Sequence, residues 1–207
     1  MSGLVDDLDA VVEMACHRLA AAAGRDWDVP ATGMTWTCRS TVEHVADDLF
    51  SYAGQVAVRR PVLDGFVPFL YWADPGDGDA ADRTAVHADR DAGNLGLVRV
   101  LDACRGMLSA VARTASPEAR GFHVFGVSDA HGFAAMGTVE TLLHLRDVAG
   151  PLGFAWDPDP DVVRRVLDRL FPDAPTDGDP WLTLLRITGR DPEFPVPDWR
   201  WDGSVRQ

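Results

Sequence analysis

The chain has 207 residues, 46% of them hydrophobic, enough for one sizeable core and too few for two full domains. A formal charge of −13 and a pI near 4.7 leave no basic footprint for DNA or RNA, and they disfavour an anionic membrane surface. All 19 basic residues are arginine, which removes Schiff-base chemistry and a lysine general base.

Leu4, Leu8, Val11, Val12, Ala15, Leu19 and Ala22 form one apolar stripe, predicting a first helix from Leu4 to about Ala23 with Gly24 as its stop. A turn-rich stretch with Pro30 and Gly33 follows. Trp36 then leads into Ser40-Thr41-Val42-Glu43, which has the form of a capping box and predicts a second helix from there to about Val58. Residues 62–72 are apolar and aromatic but broken by Gly65 and Pro68, so a short strand or an irregular packed segment is expected. Residues 73–93 read as a long crossover loop.

Val98, Leu101, Cys104, Met107, Leu108 and Val111 give a third helix over about Leu95–Ala115, closed by Pro117. A fourth starts near Asp129 and is expected to end before Gly150-Pro151. Asp159-Pro160 and Asp179-Pro180 open a fifth and a sixth, since Pro is favoured at the first helical position. The tail is too proline-rich for helix, and its Trp199 and Trp201 are expected to pack back on the rest. The fold class is therefore all-α: a four-helix bundle with one long crossover over residues 1–156, and a short helical extension with its tail over 157–207.

Three widely spaced cysteines, Cys16, Cys38 and Cys104, with no CxxC, support neither a redox motif nor a cysteine metal site. The acidic N-terminal residues lack the basic and apolar parts of a signal peptide, and no apolar run approaches the ~18–20 residues that span a bilayer. A reduced cytoplasm is the expected location.

The chemistry concentrates in Glu140-Thr141-Leu142-Leu143-His144 on the fourth helix. Side chains at i and i+4 share a helical face, with Cβ atoms roughly 5–6 Å apart, so both can reach one ion. ExxxH is also a common solvated pair. Here the flanking Val139, Leu142 and Leu143 argue for burial, and a buried charged pair needs a partner. Asp147, one turn on, is placed to hold or polarise a ligand from behind. His44, early in the second helix, lies off its apolar stripe and shares a side with Thr41, Asp48 and Gln55; by itself it reads as a surface histidine, and it supplies the third ligand only if that side lines a polar cavity. Two ligands on one helix and one on another leave a position open for water or substrate. Arg39 and Arg146 are candidates for an anionic substrate, against a plain surface role. His131, at the start of the helix that carries Glu140, caps it or faces solvent, and His17, His87 and His123 are isolated.

Trp36, then STVEHVADDL, then GFAAMGTVETLLHLRDVA resemble the DinB-like metal-binding four-helix bundles, in particular the N-terminal domain of the mycothiol-dependent maleylpyruvate isomerases. The resemblance covers roughly residues 4–156. It implies that His44, Glu140 and His144 bind a divalent metal, typically Zn2+; Asp48, Asp147 and Arg39, read from their own positions, are the candidates to support the ligands or touch substrate. It further implies a low-molecular-weight thiol such as mycothiol acting on a small electrophile, by transfer or by addition and isomerisation. Those isomerases carry a further α/β domain, whereas only residues 157–207 follow here, so maleylpyruvate isomerisation itself does not carry over. Metal-dependent hydrolysis and metal or small-molecule binding without turnover are the alternatives.

Overall fold

The computed structural model describes residues 3–73, 83–196 and 199–206. They form six helices: α1 (Gly3–Ala21), α2 (Cys38–Ala57), α3 (Gly93–Thr114), α4 (Ala130–Leu152), α5 (Pro160–Leu170) and α6 (Pro180–Ile187). Among the described residues the only β pairing is three isolated antiparallel bridges, so the fold is all-α. None of these helices is long and apolar enough to cross a membrane.

Each helix forms where periodicity and caps agree. α1 buries Val5, Leu8, Val11, Val12, Ala15 and Leu19 along one stripe. Asp129, Asp159 and Asp179 cap α4, α5 and α6 by accepting backbone N–H groups of the first turn, and Pro160 and Pro180 occupy first-turn positions where no N–H is missed.

α2 begins earlier than the capping-box reading expects. Thr37 is its N-cap and accepts the Ser40 N–H at 3.0 Å, so Ser40 lies inside the first turn. Glu43 turns away from the helix start to pair with Arg39 and the Ala88 N–H. α4 runs past Gly150-Pro151 to Leu152, ending at the left-handed Gly153 (φ 74°). Pro151 is tolerated there because the carbonyl it cannot reach, that of Asp147, accepts the Thr32 N–H at 2.8 Å instead.

α1 packs on α3 and α4, and α2 packs on the same two, giving the order α1, α3, α2, α4 around one core. Of the four, α4 is buried on nearly every side, as an almost uniformly apolar helix must be. Close approach is allowed at Gly137, where a Cβ would lie 2.6 Å from Leu49 Cδ2.

Residues 62–72 are irregular, and Trp72 forms an isolated bridge to Thr84. The expected crossover loop falls partly on residues 74–82, outside the described residues; the remainder includes a 3₁₀ turn at Arg90–Ala92. Two α2 carboxylates anchor it: Asp47 Oδ1 accepts the N–H groups of Ala85 and Val86 at 2.7 and 3.0 Å, and Glu43 Oε1 that of Ala88 at 3.2 Å.

The extension packs on the four long helices. α5 contacts α4, α1 and α6, and Arg165 forks onto the buried Asp7 of α1 at 2.6 and 2.7 Å. The tail returns through Asp202, whose N–H donates to Leu170 O at 2.8 Å. Trp201 is buried against His123 and Phe125, and Trp199 lies beside it at 5.8 Å between ring centroids.

Candidate metal centre

The ExxxH pair is not a solvated surface pair. Glu140 and His144 are 8% and 6% exposed, facing α2 from the helix with the least access to water. His144 Nε2 lies 3.1 Å from Glu140 Oε2. His44, from α2, presents its ring edge-on to that of His144, with centroids 5.0 Å apart at 89°. One ligand atom from each of His44, Glu140 and His144 falls within 4.8 Å of the others. Tetrahedral coordination at Zn–N and Zn–O lengths of about 2.0–2.2 Å puts donors roughly 3.3 Å apart, so small side-chain rotations close the set.

Asp48, one turn beyond His44, places Oδ2 3.3 Å from His44 Nε2. That oxygen is buried and receives no hydrogen bond. Burial pushes the Asp48 carboxyl up to about 7; Glu140 and Asp47 add to the push, and His44 and His144 oppose it. A shared cation would pull it down again. Burial also works against ionised Glu140, but the His144 hydrogen bond and charge, with His44 and Arg190, hold its carboxyl below the usual range. His144 is raised: burial opposes its charge, and Asp147 and Glu140 outweigh it.

Two imidazoles and a carboxylate, with an orphaned carboxylate oxygen at their side, are a donor set suited to a divalent transition metal. The cluster can hold such an ion.

Trp36 covers the imidazoles, 4.9 Å from His44 and 6.3 Å from His144 between ring centroids. Its loop is fixed by Ala31 N–H to Trp36 O at 2.9 Å and by the Thr32–Asp147 bond. His44 is 22% exposed, and approach to the centre is from its side.

Asp147 lies behind His144, with Oδ2 3.4 Å from Nδ1, an ion-pair contact outside hydrogen-bond geometry that leaves Nδ1 without a hydrogen-bond partner. Arg39 is not brought to the trio. Its guanidinium is buried against Glu43 at 3.1 Å and donates to Ala88 O at 3.0 Å, which makes it part of the crossover anchor. Arg146 meets Asp147 at 3.4 Å on the flank away from the ligands. His87, isolated in sequence, stacks on Trp72 at 4.0 Å and puts Nδ1 3.5 Å from Glu43 in that same anchor. Cys38 is buried, and its thiol is pushed up to about 11 by burial, so it is no nucleophile. A cavity of about 820 Å³ opens between the C-terminal ends of α2 and α3, lined by Val56, Arg59, Thr114 and Arg120 and by none of the trio.

Residue patterning did not reveal Arg190, whose fork closes on Asp147 from the extension. Only its place just past Gly189, a helix stop, sets it apart in the sequence.

Comparison of the chain with protein-family models, with curated proteins and with solved structures finds no match.

Proposed function

We propose that the chain is a DinB-like four-helix bundle that holds a divalent metal, most simply Zn2+, at His44, Glu140 and His144. In this reading it is a cytoplasmic enzyme that uses a low-molecular-weight thiol, such as mycothiol, against an electrophilic small molecule. The observation that carries the reading is the convergence of the three ligand atoms within 4.8 Å, with one imidazole partly open to solvent. The resemblance of the blocks around Trp36, His44 and Glu140 to that family adds the thiol.

A bound Zn2+ supplies Lewis acidity strong enough to deprotonate a thiol, or water, at neutral pH. The residues do the rest. Glu140 and His144, on one face of a rigid buried helix, hold one side of the site, and His44 holds the other. Three protein ligands rather than four leave a place for a thiol. Asp48 Oδ2, without a hydrogen-bond donor and beside His44, is placed to accept the thiol proton. Trp36 keeps water off the imidazole faces, which strengthens every charge interaction beneath it. Against a conjugated alkene the thiolate adds to the β carbon as the C=C electron pair moves to the α carbon, which takes up the proton held by Asp48. An adduct that stays is the product of addition; rotation about the new single bond, followed by return of that proton to Asp48 and expulsion of the thiolate, is isomerisation.

The test is elemental mass spectrometry on untagged protein beside His44→Ala and Glu140→Ala/His144→Ala variants, followed by assay of electrophile consumption with mycothiol. About one equivalent of metal in the wild type, lost in the variants with helicity retained, and metal-dependent consumption that needs the thiol support the reading. Metal that persists in the variants sinks the site. Metal bound without thiol-dependent turnover sinks the enzyme.

A further inference from the structure

A chain of contacts leads from the metal centre into the C-terminal extension. Asp147, 1% exposed, stands between His144 and two arginines. Arg190 Nε reaches Asp147 Oδ1 and Oδ2 at 3.2 and 3.1 Å, and Nη2 reaches Oδ2 at 2.9 Å. Arg146 Nη2 donates to the Arg190 carbonyl at 3.0 Å and so braces the same arginine from α4.

The end of α6 is built to deliver this residue. Gly189 (φ +68°) closes the helix in a Schellman motif: its N–H donates to Arg186 O at 3.2 Å, and the Arg190 N–H donates to Leu185 O at 2.8 Å. A Cβ at Gly189 would lie 2.8 Å from Val196 O, so both conformation and space require glycine. Trp199 lies over the guanidinium, its ring centroid 5.7 Å from Cζ.

We propose that Arg190 is a positioning residue for the metal centre. By clamping Asp147 it holds a carboxylate oxygen 3.4 Å from the otherwise unpartnered His144 Nδ1, ready to accept its N–H when Nε2 turns to the ion, and it makes docking of α6 and metal binding mutually reinforcing. The inference rests on the metal reading above and extends it to the extension. A carboxylate gripped by a planar fork cannot turn about its own axis as one with a single partner can. The partner of a ligating imidazole's second nitrogen sets its tautomer, orientation and basicity, and losing such a partner typically costs 10–100-fold in metal affinity. Coupling is reciprocal, so an ion that orders His144 also strengthens docking of Arg190.

One effect opposes this. Arg190 is a cation whose field reaches Glu140 and would repel a metal ion. Its charge is largely cancelled by Asp147 within the pair, so orientation outweighs repulsion. The two effects have opposite signs, and that makes the proposal testable. Arg190→Lys keeps the charge and loses the fork; Arg190→Met loses both.

The experiment uses the full chain. Zn2+ affinity is measured by competition with a chromogenic chelator, Co2+ loading by its visible absorption spectrum, and folding of the metal-free proteins by circular dichroism and thermal unfolding. Both variants should lose tenfold or more in Zn2+ affinity and show an altered Co2+ spectrum while remaining helical. In an Asp147→Asn background, Arg190→Met should add nothing further. Unchanged or tighter binding by Arg190→Met, or Arg190→Lys equal to wild type, overturns the proposal, as does a fall in melting temperature alone. Wild type that takes up no metal sinks the metal reading together with this one. Wild type that binds one equivalent, with unaltered Arg190 variants, sinks this inference alone.

Discussion

The backbone N–H of Thr32 donates to the carbonyl of Asp147 at 2.8 Å, in the place that residue 151 would fill were it not proline. A helix defect thus ties the Trp36 loop to α4 at the residue behind His144. The bond tests directly. Thr32→Pro removes the donor, and Thr32→Ala removes only an exposed side chain. Thr32→Pro should cost about 1–3 kcal/mol in urea unfolding, the usual penalty for an orphaned buried carbonyl, and Thr32→Ala almost nothing. Equal effects of the two would mean that the loop is held by something else.

Metal should stabilise the fold by linkage. An ion that binds only the native state at a hundred times its dissociation constant adds about 2.7 kcal/mol. For a chain of this size that is roughly 5–10 °C in melting temperature. Scanning calorimetry with Zn2+ and with a chelator should show the difference in wild type and none in His44→Ala. A shift that survives in His44→Ala would place the ion somewhere other than the trio.

His123 should make the protein lose stability in mild acid. It is buried against Trp201 and Tyr52, and its Nδ1 accepts the Phe125 N–H at 3.1 Å, so it folds neutral. Burial lowers it from 6.5 to about 4, with Glu140 opposing. The folded value is the depressed one, so the contribution is whole above pH 6.5 and is lost as pH falls through about 4, below which both states are protonated. At one proton, the full loss is on the order of 3 kcal/mol. Urea unfolding of His123→Gln between pH 7 and 4 should show a shallower decline than wild type; parallel curves would remove His123 from the account.

Much of this is legible in the sequence alone, because it depends on neighbours along the chain. Asp129, Asp159 and Asp179 announced their helices through short-range capping, and Glu140 and His144 announced a shared face through helical spacing alone. What failed to show depends on partners distant in the chain. Ser40 and Glu43 have the letters of a capping box, yet Glu43 is drawn away by Arg39 and Ala88 and the cap passes to Thr37. Arg39 reads as a substrate candidate because its spacing says nothing of the crossover segment it secures. Arg190 lies 43 residues from Asp147, and no periodicity spans that distance.

Gly137 is the last such hidden constraint, and it joins stability to the metal centre. A methyl group there would sit 2.6 Å from Leu49 Cδ2, 3.1 Å from Leu108 Cδ2 and 3.2 Å from Leu8 Cδ1, all fully buried side chains that must shift to admit it. Overpacking of this kind costs about 1–3 kcal/mol, against the ~1 kcal/mol that alanine otherwise gains over glycine inside a helix. Gly106, on α3 with nothing within 4 Å of its Cβ position, isolates that gain. Gly106→Ala should therefore stabilise, and Gly137→Ala should destabilise. The strain also has a direction: Leu49 is on α2 with His44, and Gly137 is on α4 one turn before Glu140. Pushing the two helices apart separates the ligands, so Gly137→Ala should weaken Zn2+ binding while Gly106→Ala leaves it unchanged. Equal tolerance of both substitutions would mean that α2 and α4 can part without consequence, and that the ligand spacing is not set by this contact.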